Sequence, residues 1–217
     1  MGIIGKISLN LSTKLGNRLN KDYEEIEVLN YGLFMIIHTI AGMILTVLVG
    51  IITGLTMEIV IITITGALFK RYTGGAHAST PERCLIIGII LSLFLSILTK
   101  FMVSIMNINT IGILSTIILV YSYYTLYKRC PVPSKNKPLK KESIRKKLRK
   151  KAINLIKIYI SMIVILYFSS IIFNIDIFKT IIVSCLLGIL FQTISLTEIG
   201  LNFIKVLDNS FNIFKLN

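Results

Sequence analysis

Two residues with the right chemistry, His77 and Cys84, lie in a polar island, Lys70-Arg71-Tyr72-Thr73-Gly74-Gly75-Ala76-His77-Ala78-Ser79-Thr80-Pro81-Glu82-Arg83-Cys84, between two long apolar runs. A thiol with a base in reach can form a thiolate and attack a carbonyl carbon. Folding in a bilayer does not require such an island, so its residue types suggest acyl-transfer chemistry at a membrane surface. The sequence reading is therefore a thiol peptidase embedded in a membrane.

Local sequence sets how the two residues can meet. Pro81 suits only the first turn of a helix, and Ser79 and Glu82 have the S-x-x-E spacing of a capping box, so a helix is predicted to start at Ser79 or Thr80. Cys84 then falls within the first two turns, where the positive end of the helix favours thiolate, and Arg83 adds a cation beside it in sequence. One unbroken helix would hold His77 roughly 10 Å from the sulfur. A loop reversing through Gly74-Gly75 removes that obstacle, and the same glycines let backbone N–H groups approach a carbonyl as an oxyanion hole.

Each residue also has an ordinary reading. The Gly-Gly pair can be a plain turn, His77 a solvated side chain and Cys84 a packing residue. Glu82 could orient His77, although capping accounts for it. His38, inside the first apolar run, is read as packing or as a hydrogen-bond partner of a neighbouring helix. One His and one Cys leave a tetrahedral ion short of ligands, so neither a metal nor a cofactor is expected. Cys185 lies in an apolar run and is read as packing, and Cys130, just before Pro131, is read as a spare thiol.

The elements that must position the island are read from hydropathy and charge. With 217 residues, a mean hydropathy of +0.79 and a formal net charge of +14, the chain is neither an ordinary soluble domain nor disordered. The charges avoid the apolar runs and form no basic stripe on a soluble module, which turns the reading from nucleic acid to anionic lipid headgroups and an acidic peptide. The predicted fold is an all-α integral membrane protein, one polytopic domain of about six transmembrane helices. Residues 1–20 form an interfacial amphipathic helix, with Ile3, Ile4, Ile7, Leu11, Leu15 and Leu19 on one face. Residues 31–69 hold spans 1 and 2, broken near Gly50 to Gly54; 70–84 is the catalytic segment; 85–127 holds spans 3 and 4. A basic loop at 128–151, spans 5 and 6 at 152–197, and an interfacial tail at 198–217 complete the order.

Of 24 Lys and Arg residues, 12 fall in Lys128 to Lys151, which places that loop in the cytoplasm. Counting spans back puts the island and the N-terminus on the same side, and counting forward puts the C-terminus there too. Lys146, Lys147, Lys150 and Lys151 are expected to help bind an acidic peptide.

Arg71-Tyr72-Thr73-Gly74-Gly75-Ala76-His77-Ala78 followed by Cys84 resembles the central motif of the AgrB family, the accessory gene regulator protein B of Gram-positive quorum sensing. Tyr31-Gly32 opening the first span and Pro131-Val132-Pro133-Ser134-Lys135-Asn136-Lys137-Pro138-Leu139 opening the basic loop extend the resemblance over most of residues 25 to 200. Thr73 stands where a small residue such as Ala is usual. The resemblance implies a cell-membrane cysteine endopeptidase that cuts an acidic tail from a small precursor peptide with an amphipathic leader and helps close the rest into a thiolactone autoinducer. Cys84 would be nucleophile, His77 general base, and Gly75 and Arg71 supporting positions; the family also implies a homodimer. A multipass permease or exporter of an anionic or peptide solute is the alternative, against which stand the scarcity of intramembrane charge and the absence of a broken-helix repeat.

Overall fold

The structure, a computed structural model, describes residues 2–133 and 141–213, the last two by backbone alone. Ser134 to Leu139 of the proline-rich motif, with Lys135, Lys137 and Lys140 of the basic loop and residues 214–217 of the tail, lie outside the described residues. Among the described residues eight helices follow in order: α1 (Ile3–Arg18), α2 (Tyr23–Thr53), α3 (Thr56–Thr73), α4 (Pro81–Ile105), α5 (Ile108–Arg129), α6 (Glu142–Phe173), α7 (Asp176–Ile194) and α8 (Glu198–Ile213). Contacts divide the chain into two compact units, Met1–Leu48 and Val49–Asn217.

In the first unit, the apolar face predicted for α1 is exposed at Ile3, Ile7, Leu11, Leu15 and Leu19. The opposite face is small: Gly5, Ser8, Ser12 and Gly16 are buried. Ser8 Oγ donates to Asn30 Oδ1 at 2.8 Å, and a side chain at Gly16 would collide with Ile26. The polar stretch from Asn20 to Asn30, expected to precede the first span, is mostly helical. Asp22 caps it, accepting from Glu25 N at 2.8 Å while Glu25 Oε2 accepts from Asp22 N at 3.3 Å, a reciprocal capping box.

In the second unit the break between the first two spans falls at Gly54, whose φ of +67° lets the chain reverse while Leu55 N donates to Gly50 O at 2.9 Å. Helices α2, α4, α5, α6 and α7 are long and apolar enough to cross a membrane. At 18 residues α3 has nearly the same length as α7, but Glu58, Lys70 and Arg71 at its ends lower its hydropathy. It runs parallel to α7: Gly188 lies against Ile62 and Thr65, and further along Gln192 meets Thr73. With α3, six of the described helices have 18 residues or more, and five of these are apolar enough to cross a membrane, against the about six spans expected.

Helix α7 is the axis, packed against α3, α4, α5 and α6. Its Ile182, Val183, Leu186 and Ile189 are almost fully buried, together with Phe69, Ile111, Leu126 and Ile156 from the surrounding helices. Tyr159 of α6 donates to Thr65 Oγ1 at 3.2 Å and meets the Phe69 ring at 5.3 Å, tying α6 to α3. One boundary and one cap differ from the sequence reading. The basic loop becomes helix α6 at Glu142, because its Lys and Arg residues are good helix formers that can stay in water on an extension of span 5. The N-cap of α4 is Thr80, accepting from Arg83 N at 3.3 Å, because the Ser79 hydroxyl is engaged by Asp208 of α8 instead of completing a capping box with Glu82.

The closest α3–α7 approach depends on Gly188, where an added Cβ would lie 3.0 Å from Thr65 Cβ and 3.1 Å from the Ile62 carbonyl oxygen. Gly188→Leu should therefore destabilise the fold by about 1–3 kcal/mol through overpacking. The check is the temperature at which detergent-solubilised protein loses its monodisperse peak in size-exclusion chromatography. Gly66→Ala on α3, where a Cβ meets nothing within 4 Å, should leave that temperature unchanged.

Candidate active site

One end of the second unit gathers the C-terminal ends of α3, α5 and α7, the first turns of α4 and α6, and helix α8. The stretch from Gly75 to Thr80 that crosses this end has no regular secondary structure. Its backbone is held from outside. Thr73 O accepts from Val132 N at 2.8 Å, and Gly74 and Val132 form an isolated parallel bridge. Gln192 of α7, itself buried, donates to Thr73 Oγ1 and Gly74 O, both at 2.9 Å.

Cys84 sits half-buried in the first turn of α4. His77, exposed on the loop, hydrogen-bonds its thiol, and this is the main influence drawing its pKa down to about 7. Burial pushes the other way; the Lys70 charge and the Ala78 backbone N–H add to the lowering. Lys70 Nζ lies 3.7 Å from Cys84 Sγ. Of the expected site residues, His77 is thus close enough to Cys84 to act on its thiol.

The other cysteines differ sharply. Cys130 is fully buried at the end of α5, and burial pushes its pKa up to about 12 despite the nearby Arg149 guanidinium. Cys185 is buried in the middle of α7.

The supporting positions fall around this pair in different ways. Gly74 (φ +69°) and Gly75 (φ +112°) adopt backbone conformations that side chains disfavour. A Cβ on Gly74 would collide with the Val132 carbonyl oxygen, and one on Gly75 would lie 2.9 Å from Ser195 Oγ. Both glycines thus let the loop pass close to the Pro131–Val132 segment and the α7–α8 turn. Arg71 is exposed with its guanidinium 5.9 Å from the Tyr72 ring centroid. Consecutive helical residues point about 100° apart, and it is Lys70 that faces the sulfur. Arg83 pairs with Asp208 at 3.4 Å.

Lys146, Lys147, Lys150 and Lys151 are exposed on the first turns of α6. Lys151 Nζ lies 5.7 Å from the Tyr72 ring centroid, and Arg149 Nε donates to Cys130 O at 2.7 Å, so the basic part of α6 passes beside the end of α3 that carries Lys70. Lys146 forms an exposed pair with Glu142 at 3.0 Å.

The sequence reading missed Lys70, Ala78 N–H, Gln192 and Asp208. Lys70 was in the island, but the rotation of α3 about its axis decides whether it or Arg71 meets the thiol. Gln192 carried the one available signal, an amide in an otherwise apolar span, where a polar group needs a partner.

The family described as accessory gene regulator B matches over residues 8–196. Two Clostridium perfringens proteins named as AgrB-like, from strains SM101 and 13, are 31% and 30% identical over 215 residues, covering 97% of this chain and 99% of each relative. A second AgrB-like protein of strain 13 is 26% identical over 134 residues, 61% of this chain and 68% of its own length. No solved structure matches. The motif around His77 and Cys84 and helices α2 to α7 fall within the matched region, and the chain belongs to the accessory gene regulator B family.

Proposed function

We propose that this member of a quorum-sensing family is a membrane cysteine endopeptidase that removes the C-terminal tail of a precursor peptide and promotes closure of the remainder into a thiolactone. The observation that carries the reading is the Cys84 thiol, drawn down to about 7 by His77 and supported by Lys70, in a chain whose Cys130 is driven up to about 12. Near neutral pH a large fraction of Cys84 is thiolate, the form that attacks carbonyls.

The steps balance without a co-reactant. His77 takes the Cys84 proton, and the sulfur attacks the carbonyl carbon preceding the tail. The C–N bond breaks as His77 returns the proton to the leaving amine, which leaves an acyl-enzyme thioester. A thiol within the peptide then attacks that thioester, its proton passes to His77 or the departing Cys84 thiolate, and the ring closes as the enzyme is restored. Lys70 Nζ, close to the sulfur, is placed to offset the oxyanion charge, a task the sequence reading gave to backbone N–H groups at Gly74 and Gly75. Arg71 and Lys151 flanking Tyr72 continue this positive surface toward Lys146, Lys147 and Lys150, a place for an acidic tail.

Peptide processing by purified protein in liposomes tests the reading. Cys84→Ala and Cys84→Ser should abolish cleavage, while Cys130→Ala and Cys185→Ala keep most of it. His77→Ala should cost about 10²–10⁴-fold in cleavage rate. Unimpaired cleavage by Cys84→Ala would sink the mechanism. Alkylation gives the sign independently: removing the His77 hydrogen bond removes the main lowering influence, so the midpoint for Cys84 alkylation should move up from about 7 toward the ordinary thiol range in His77→Ala.

Converting Lys146, Lys147, Lys150 and Lys151 to Gln should raise KM more than it lowers kcat, because uniform binding is lost. Added salt should weaken the wild type more than this variant, since exposed charges are screened over about 10 Å at 0.1 M. An unchanged KM in neutral-lipid nanodiscs would confine these lysines to topology.

The charge distribution orients the site end, the N-terminus and the C-terminus toward the cytoplasm in this reading. In a background without native cysteines, Asn109→Cys and Ile175→Cys should react with an impermeant reagent on intact cells, and Glu142→Cys should not. The inverse labelling pattern would overturn that orientation.

A further inference from the structure

The catalytic loop is gripped at its far end by α8, beyond residues 8–196 that the family matches. Asp208 accepts from Ser79 N at 2.9 Å through Oδ2, and from Ser79 Oγ at 3.1 Å and Arg83 Nη1 at 3.4 Å through Oδ1. Arg83 Nη1 also reaches the Asp208 carbonyl oxygen and Ser79 Oγ, at 3.4 and 3.2 Å. The two charged side chains retain only 14% and 16% of their exposure, so the pair is sheltered from the screening that weakens surface ion pairs. A carboxylate with three donors on it is a firm anchor.

Beside this anchor, Ile204 of α8 is buried with Ala76 and Ile87, and Leu207 and Phe211 pack against the same cluster together with Ala78. The residues on both sides of His77 are thereby held by α8 side chains, and the next one, Ser79, is held by Asp208. A loop without secondary structure has no internal ladder to fix its dihedrals, so these contacts set where His77 and Ala78 N–H meet the sulfur.

We infer that Asp208 is a positioning residue for the active site, fixing His77 and the Ala78 N–H on Cys84 by clamping Ser79 and Arg83 from the C-terminal helix. The inference rests on the peptidase reading for its catalytic consequence, but the clamp has a readout of its own. Asp208 touches neither the sulfur nor His77, and its effect passes through the loop backbone.

The test uses the full chain in anionic liposomes, with Asp208→Asn, Asp208→Ala and Asp208→Glu compared with wild type. Two quantities are read: the pH midpoint of Cys84 alkylation by iodoacetamide, in a Cys130→Ala, Cys185→Ala background, and kcat and KM for a precursor peptide. Loosening the loop should raise the alkylation midpoint and lower kcat roughly tenfold to a hundredfold while KM stays within about twofold, because misplaced catalytic groups cost rate more than binding. Asp208→Glu, which keeps the carboxylate, should recover most of both. Asp208→Asn is nearly isosteric and carries the test if Asp208→Ala fails to give monodisperse protein. An Asp208→Asn protein with wild-type midpoint and wild-type kcat would overturn the clamp. A wild-type protein inert toward every precursor would overturn the peptidase reading and leave the clamp to be decided by the alkylation midpoints.

Discussion

Irregular backbone at the end of a membrane bundle must find hydrogen-bond partners there, since each buried polar group left without one costs a few kcal/mol. Between α3 and α4 this need is met from far away in the sequence: Val132 after α5, Gln192 on α7 and Asp208 on α8. Helices that would otherwise be joined by a simple turn are therefore tied at one end around a short loop. The placement of His77 thus draws on contacts from across the second unit.

The same enclosure makes the thiol chemistry demanding. Burial alone disfavours thiolate, as Cys130 shows, where an adjacent guanidinium does not prevent a rise to about 12. Arg149 spends its Nε–H on the Cys130 carbonyl. At Cys84 a directed hydrogen bond from His77, the Lys70 ammonium and the Ala78 N–H overcome the same penalty. A formal net charge of +14 does not do this by itself. Arg71 and Arg83, neighbours of the site in sequence, face Tyr72 and Asp208. Donors aimed at the sulfur decide the outcome.

Much of this was legible in the sequence. Apolar run length and the Gly50 to Gly54 break gave the spans, because bilayer thickness imposes a length on every crossing. Pro81 gave the start of α4, and the island held both His77 and Cys84. The errors arose where tertiary partners override local pattern. Ser79 and Glu82 have capping-box spacing, yet Ser79 is taken by Asp208, a residue 129 positions away. The run from Lys141 to Lys151 reads as a loop by charge and folds as helix, since charge reports contact with water and does not report backbone conformation. Lys70 and Arg71 are indistinguishable in composition, and only the packing of α3 against α7 separates their roles.

On the proposed peptidase reading, the different exposure of His77 and Cys84 bears on the fate of a thioester. Cys84 is half-buried while His77 is exposed, so an acyl group on the sulfur would be sheltered by protein on one side and reached by the imidazole from the other. An amine protonated by His77 can depart into water. The acyl chain, held at the sulfur, keeps the energy of the thioester until a second thiol arrives. Hydrolysis competes by supplying water to the same carbonyl, so a product ring depends on which nucleophile the site admits first. An internal thiol already tethered to the acyl group has the higher effective concentration at that carbonyl.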